Sequence, residues 1–245
     1  MKKTFLTGFI LIFISSMAFA TVDNIGYRAT FGIFGTVGTI KNKITKNTKT
    51  YEIESRVEFV GLAKLLMRGQ IEHYVSKGHM VNGLMVSDTY VMTSTKKDKI
   101  VKKEYYINHK TKNVSKRVRK WKNGKLVKDK KETLHFYAKD DLLTLYFNLG
   151  TAVTKKGKKY HFKAVGLEKQ QGKVQITVPS KAKQAPYVND LGLGASLYAK
   201  ALIVQRNFKN KKGDILISLA KDGYIQSTVI KDVLLYGDAR IERLK

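Results

Sequence analysis

The sequence predicts a mainly β protein: a single large curved antiparallel sheet or half-open barrel, with one or two short helices packed on its concave face. Three observations lead there. Only two prolines occur, Pro179 and Pro186, so most of the chain carries no proline break. The runs between glycines are rich in Val, Ile, Tyr, Thr and Phe and about 7 to 12 residues long, a spacing that favours antiparallel strands. Two segments break the alternation and read as helices.

From the N-terminus, "MKK" is a positive start, Phe5 to Ile14 an apolar run, and Ala18-Phe19-Ala20 a small-x-small cleavage pattern. The expectation is a signal peptide over 1–20, cut after Ala20, and export to a bacterial periplasm. Residues 21–245 then form a single antiparallel β domain, long enough to build a core without staples. With no Cys anywhere, a disulfide framework, thiol catalysis and Cys-ligated metal are excluded.

Strands are expected at Ile25 to Gly32, Val37 to Thr45, Gln70 to Ser76, Leu84 to Thr93 and Ile100 to Asn108. Further ones fit Lys159 to Leu167, Lys173 to Val178, Ser196 to Gln205, Asp214 to Ala220 and Tyr224 to Lys231. "TYEIESRVEFV" sets Tyr51, Ile53, Val57 and Phe59 on one face and Glu52, Glu54, Arg56 and Glu58 on the other, a half-buried strand with a charged solvent face. Asn123-Gly124 and Asp222-Gly223 are two-residue hairpin signals. Looser turns are expected at Gly172 and at Lys77-Gly78, the latter separating His73 from His79.

The first helical segment is Gly61 to Gly69, with Leu62, Leu65, Leu66 and Met67 at near-helical spacing. The second is "KDDLLTLYFNLG". Asp140 or Asp141 can cap it, Leu142, Leu145, Tyr146 and Leu149 form an i, i+3, i+4, i+7 stripe, and Gly150 is expected to stop it.

Catalytic signatures are missing. There is no nucleophile elbow, no phosphate-binding glycine loop and no His-Glu-x-x-His, and the five histidines are scattered. The expectation is a non-enzymatic protein with no catalytic residues, no metal site and no cofactor. The formal charge is +28, of which residues 96–131 hold 16 Lys or Arg against three acids. Such a field attracts anionic surfaces. Anionic lipid or lipopolysaccharide is the expected partner, since export argues against nucleic acid. The candidate contact residues are Arg117, Arg119, Lys120, Trp121, Lys122, Lys125, Lys128 and Lys130, with Arg119 expected opposite Lys128 across the hairpin.

Several segments taken together resemble an exported bacterial family, domain of unknown function 3108. "GYRATFGIFGTVGTI" is similar to its opening strand pair and "SKGHMVNGLMVSDTY" to its glycine-marked segment. "DDLLTLYFNLG" resembles its mid-chain helix, with Leu142 where the family usually has Pro, and "ISLAKDGYIQSTVIKDVLLYGDARIERL" its closing strands. The resemblance implies a secreted, mainly antiparallel β protein and no particular activity. The expected architecture is also similar to periplasmic lipoprotein carriers. Its first functional expectation is binding of an amphiphile or lipid, or a role in envelope maintenance, with Leu65, Leu66, Leu142, Leu145 and Tyr146 as lining. A structural protein docking on anionic envelope polymers or a partner is the alternative, and a carboxylate-based hydrolase a second.

Overall fold

A computed structural model describes residues 20–204, 212–231, 233 and 237–244. Residues 1–19, nearly all of the expected signal peptide, lie outside the described residues. One sheet of 15 strands runs in the spatial order β8-β7-β6-β5-β4-β3-β2-β1-β15-β14-β13-β12-β11-β10-β9. Consecutive strands are thus neighbours in space, except that β8 and β9 stand at the two ends of the order, and β1 meets β15 in its middle. The first half comprises β1 (Thr21–Phe31), β2 (Thr36–Lys46), β3 (Thr50–Phe59), β4 (Ile71–Val81), β5 (Leu84–Lys96), β6 (Lys99–Asn108), β7 (Asn113–Lys122) and β8 (Lys125–Thr133). The second comprises β9 (Asp140–Asp141), β10 (Lys159–Val165), β11 (Lys173–Thr177), β12 (Leu197–Val204), β13 (Lys212–Leu219), β14 (Ile225–Ile230) and β15 (Ala239–Arg243). All pairings are antiparallel except β9 with β10.

The sheet curls around helix α2 (Leu142–Ala152). The two-residue strand β9 leads into α2 and is also held by β5, where Ser87 N–H donates to Lys139 O at 3.1 Å. Three clusters of buried side chains meet the helix. Leu145 and Leu149 pack with Ile176, Ile217 and Ile225 of the second half. Phe147 packs with Ile25, Ile44 and Ile53. Leu143 packs against Tyr90, Tyr105 and Val165. A helix that is apolar on every side belongs inside a core, which is why a four-residue stripe under-describes it.

Asp141 is the N-cap; its Oδ1 accepts from Leu143 N and Thr144 N at 2.8 and 2.9 Å. Asp140 does not cap. Gly150 does not end the helix either: a Cβ there would lie 2.3 Å from Gly223 O, so the glycine permits a close crossing between α2 and the β13–β14 connection. That connection is longer than a two-residue hairpin, with Tyr224 N–H bonded to Asp222 Oδ1 and a register shift at Leu219.

Helix α1 (Gly61–Leu66) is not on the concave face. It sits on the rim, touching β2 and β3, and Leu65 and Leu66 are 73% and 74% exposed. Its six residues make less than two turns, too few to reach inward past the strand ends. A third short helix, α3 (Ala185–Leu191), packs on β13 and β14.

Gly78 does not form a turn. It lies within β4 at a bulge, where Lys77 opposes Thr89 and Gly78 opposes Ser87, leaving Asp88 as the extra residue of β5. The glutamates of β3 face outward and are paired: Glu52 with Lys77, Glu54 with His73 and Glu58 with Arg56.

Candidate functional site: an apolar hollow beside a lysine wall

Between α2 and the concave face of β1 to β5 lies a hollow of about 340 Å3. That size falls within the range of small-molecule sites, roughly 300 to 1,000 Å3. Leu142, Leu143 and Tyr146 form its floor, and Tyr27, Val57, Tyr74, Tyr90 and Met92 are among its walls. Burial raises the phenols of Tyr27, Tyr90 and Tyr146 and pushes that of Tyr74 to about 12. With Asn42 and Ser55 also in the lining, the hollow offers hydrocarbon and neutral polar groups and no charged side chain.

One strand further on, the lining becomes cationic. Met92 on β5 opposes Lys103 on β6, and Ser94 opposes Val101, which in turn opposes Lys120 on β7. Paired residues share a face, so Lys103 and Lys120 continue the wall that carries Met92. Lys99 and Lys122, another opposed pair, follow on the same face, and Lys128 of β8 opposes Lys120. Among the described residues, none of these five lysines has a carboxylate within ion-pair distance.

On the opposite face of the ribbon the two arginines are held by acids, whereas Lys131 has no ion-pair partner among the described residues. Arg117 grips Asp129 with two hydrogen bonds of 2.8 and 2.5 Å. Arg119 donates to Glu104 and stacks over Trp121 with its guanidinium carbon 5.4 Å from the ring centroid. Burial raises Glu104, but Lys102 and Arg119 outweigh it and hold the carboxyl below its usual range. A bulge between Lys120 and Trp121, with Val127 as the extra residue of β8, sets Arg119 opposite Asp129 rather than Lys128. Arg117, Arg119 and Lys130 are thus engaged with acids, whereas Lys120, Lys122, Lys125 and Lys128 are not. Leu126 and Val127 at the hairpin tip are exposed, next to Trp121.

The expected lining is corrected in part. Leu142 and Tyr146 border the hollow; Leu145 faces the second-half core, and Leu65 and Leu66 lie outside on the rim. Leu143, Tyr74, Tyr90 and Met92 belong to it without having been singled out; the alternation of β4 and β5 was the available signal.

Four connections share one end of the sheet: β1–β2, β3–α1–β4, β5–β6 and β7–β8. This end displays Ile33, 96% exposed, together with Leu62, Leu65 and Leu66, and the lysine tips of the basic ribbon.

No family model and no curated protein matches the chain. Among solved structures it is similar to a beta-barrel-like protein of domain of unknown function DUF1849 from Brucella abortus. The identity is 11% and the TM-score 0.48, over 91% of this chain and 95% of that one.

Proposed function

We propose that this is an exported, non-enzymatic protein that binds a single-chain anionic amphiphile. The acyl chain fills the hollow over α2, and the head group meets Lys103 and Lys120. The observation that carries the reading is the step from Met92 to Lys103, where an apolar wall becomes cationic across one strand pairing. Each buried methylene contributes about 0.8 kcal/mol, which makes the chain the main source of affinity. The lysines supply charge selectivity, at about 1 kcal/mol for each cation near an anionic group.

The end that bears Ile33, Leu62, Leu65 and Leu66 pairs exposed hydrocarbon with lysine tips, a combination suited to an anionic membrane surface. Loading from the membrane fits that placement. The lysines of the edge strand β8 also discourage pairing with other sheets.

Calorimetric titration of the mature protein with lysophosphatidylglycerol and with lysophosphatidylcholine, both below their micellar concentrations, tests the reading. One equivalent of the anionic lipid should bind, more tightly than the zwitterionic one. Failure of both to bind overturns it.

A further inference from the structure

We propose that His79, Asp88 and His109 form a binding site for a divalent transition ion of the zinc type, at the end of the sheet opposite the lysine tips. Three separate pieces of chain bring them together. His79 lies on β4, just past the bulge. Asp88 is the extra residue of that bulge on β5. His109 follows β6 in the turn to β7. The bulge depends on Gly78, whose added Cβ would lie 2.0 Å from Val86 O. Bulges re-aim side chains, and here Asp88 is turned between two imidazoles that lie far apart in sequence.

The distances suit a shared ion. His79 Nδ1 is 3.0 Å from Asp88 Oδ1, and His109 Nε2 is 3.2 Å from the same oxygen. All three ligand atoms lie within 4.8 Å of one another. Ligands about 2.0 to 2.1 Å from a tetrahedral zinc stand about 3.3 Å apart. Two imidazole nitrogens and one carboxylate oxygen suit zinc and its neighbours, and unlike an all-oxygen set do not favour magnesium or calcium.

The surroundings hold the ligands in that posture. The other nitrogen of His109, Nδ1, is 2.8 Å from Tyr137 Oη. With the ion on Nε2, Nδ1–H donates to the phenol oxygen, the outer partner that fixes a ligating imidazole. Asn108 Oδ1 accepts from Lys110 N and Thr111 N at 3.1 and 3.0 Å, which shapes the turn that presents His109. In the ion-free site His109 Nε2–H donates to Ser87 O at 3.0 Å, and the ion would displace that proton. The side chains of His79, Asp88 and His109 remain 41%, 46% and 26% exposed, so an ion can enter and keep positions open to water. The site is at the opposite end of β4 and β5 from Met92 and is independent of the amphiphile reading.

The test is calorimetric titration of the mature protein with Zn2+ in a non-chelating buffer, with Mg2+ as the hard-ion control. The wild type should take up one equivalent of Zn2+ and no Mg2+. His79→Ala, His109→Ala and Asp88→Asn should each weaken binding at least about tenfold, and Tyr137→Phe by about tenfold. His161→Ala, an exposed histidine elsewhere, should change nothing. Melting curves in chelator establish that each variant is folded; where an alanine variant is not, Asp88→Asn and His109→Gln decide. Absence of Zn2+ uptake by the wild type, or uptake that survives loss of both His79 and His109, overturns the proposal.

Discussion

Ser76 Oγ donates to Asp141 Oδ2 at 2.5 Å, tying the middle of β4 to the residue that caps α2. The same carboxylate accepts from Thr144 Oγ1, and Tyr51 Oη closes the group through Ser76 and Thr144. All four residues are buried. Asp141→Ala removes a cap and leaves Ser76 without its acceptor. Losses of this kind amount to about 2 to 4 kcal/mol, or about 5 to 15 °C in a melt. Thermal unfolding checks it, and an unchanged midpoint would contradict the capping role.

Asp140 behaves in the opposite way. It is buried, its Oδ1 has no hydrogen-bond partner, and burial pushes its carboxyl up to about 6. The folded chain therefore keeps a proton that the unfolded chain loses near pH 4. Ionisation costs stability, and this loss develops as pH rises from about 4 to about 6 and stays constant above. At 1.36 kcal/mol per pKa unit it reaches at most about 3 kcal/mol. Asp140→Asn is expected to stabilise the protein at pH 7.5 and to make no difference at pH 4. Denaturant titrations of both forms at the two values measure it.

Gly150 and Gly223 meet backbone to backbone. Gly150→Ala forces a methyl group into Gly223 O and should destabilise by about 1 to 3 kcal/mol. The reverse would be expected of an open helix position, where alanine outscores glycine. Chemical denaturation separates the two outcomes by sign.

The basic ribbon gives a contrast between its faces. Replacing Lys120 and Lys122 by Ala should markedly weaken co-sedimentation with anionic vesicles at low salt. Arg117→Ala with Arg119→Ala should preserve it, since those guanidiniums already serve Asp129 and Glu104. Equal effects of the two sets would mean that only total charge matters.

The strands were legible because alternation repeats: Tyr51 and Ile53 in, Glu52 and Glu54 out. The site was legible only in part. Leu65 and Leu66 share their spacing with core residues, and nothing local tells a rim turn from a plug. Asp88 and the Arg119–Asp129 pairing depend on bulges, which change no residue's propensity but alter what lies opposite. His109 reaches His79 only through the folding of β4 to β6 into one sheet.

The central claim, that the hollow over α2 receives a hydrocarbon chain, is tested most directly by filling it. Met92→Trp places an indole where the chain should lie. The lysophosphatidylglycerol affinity of this variant should fall at least about tenfold while its melting temperature stays near that of the wild type. Lys103→Glu, which leaves the hollow open, should weaken the anionic lipid and spare the zwitterionic one. Undiminished binding by a folded Met92→Trp protein would contradict the account.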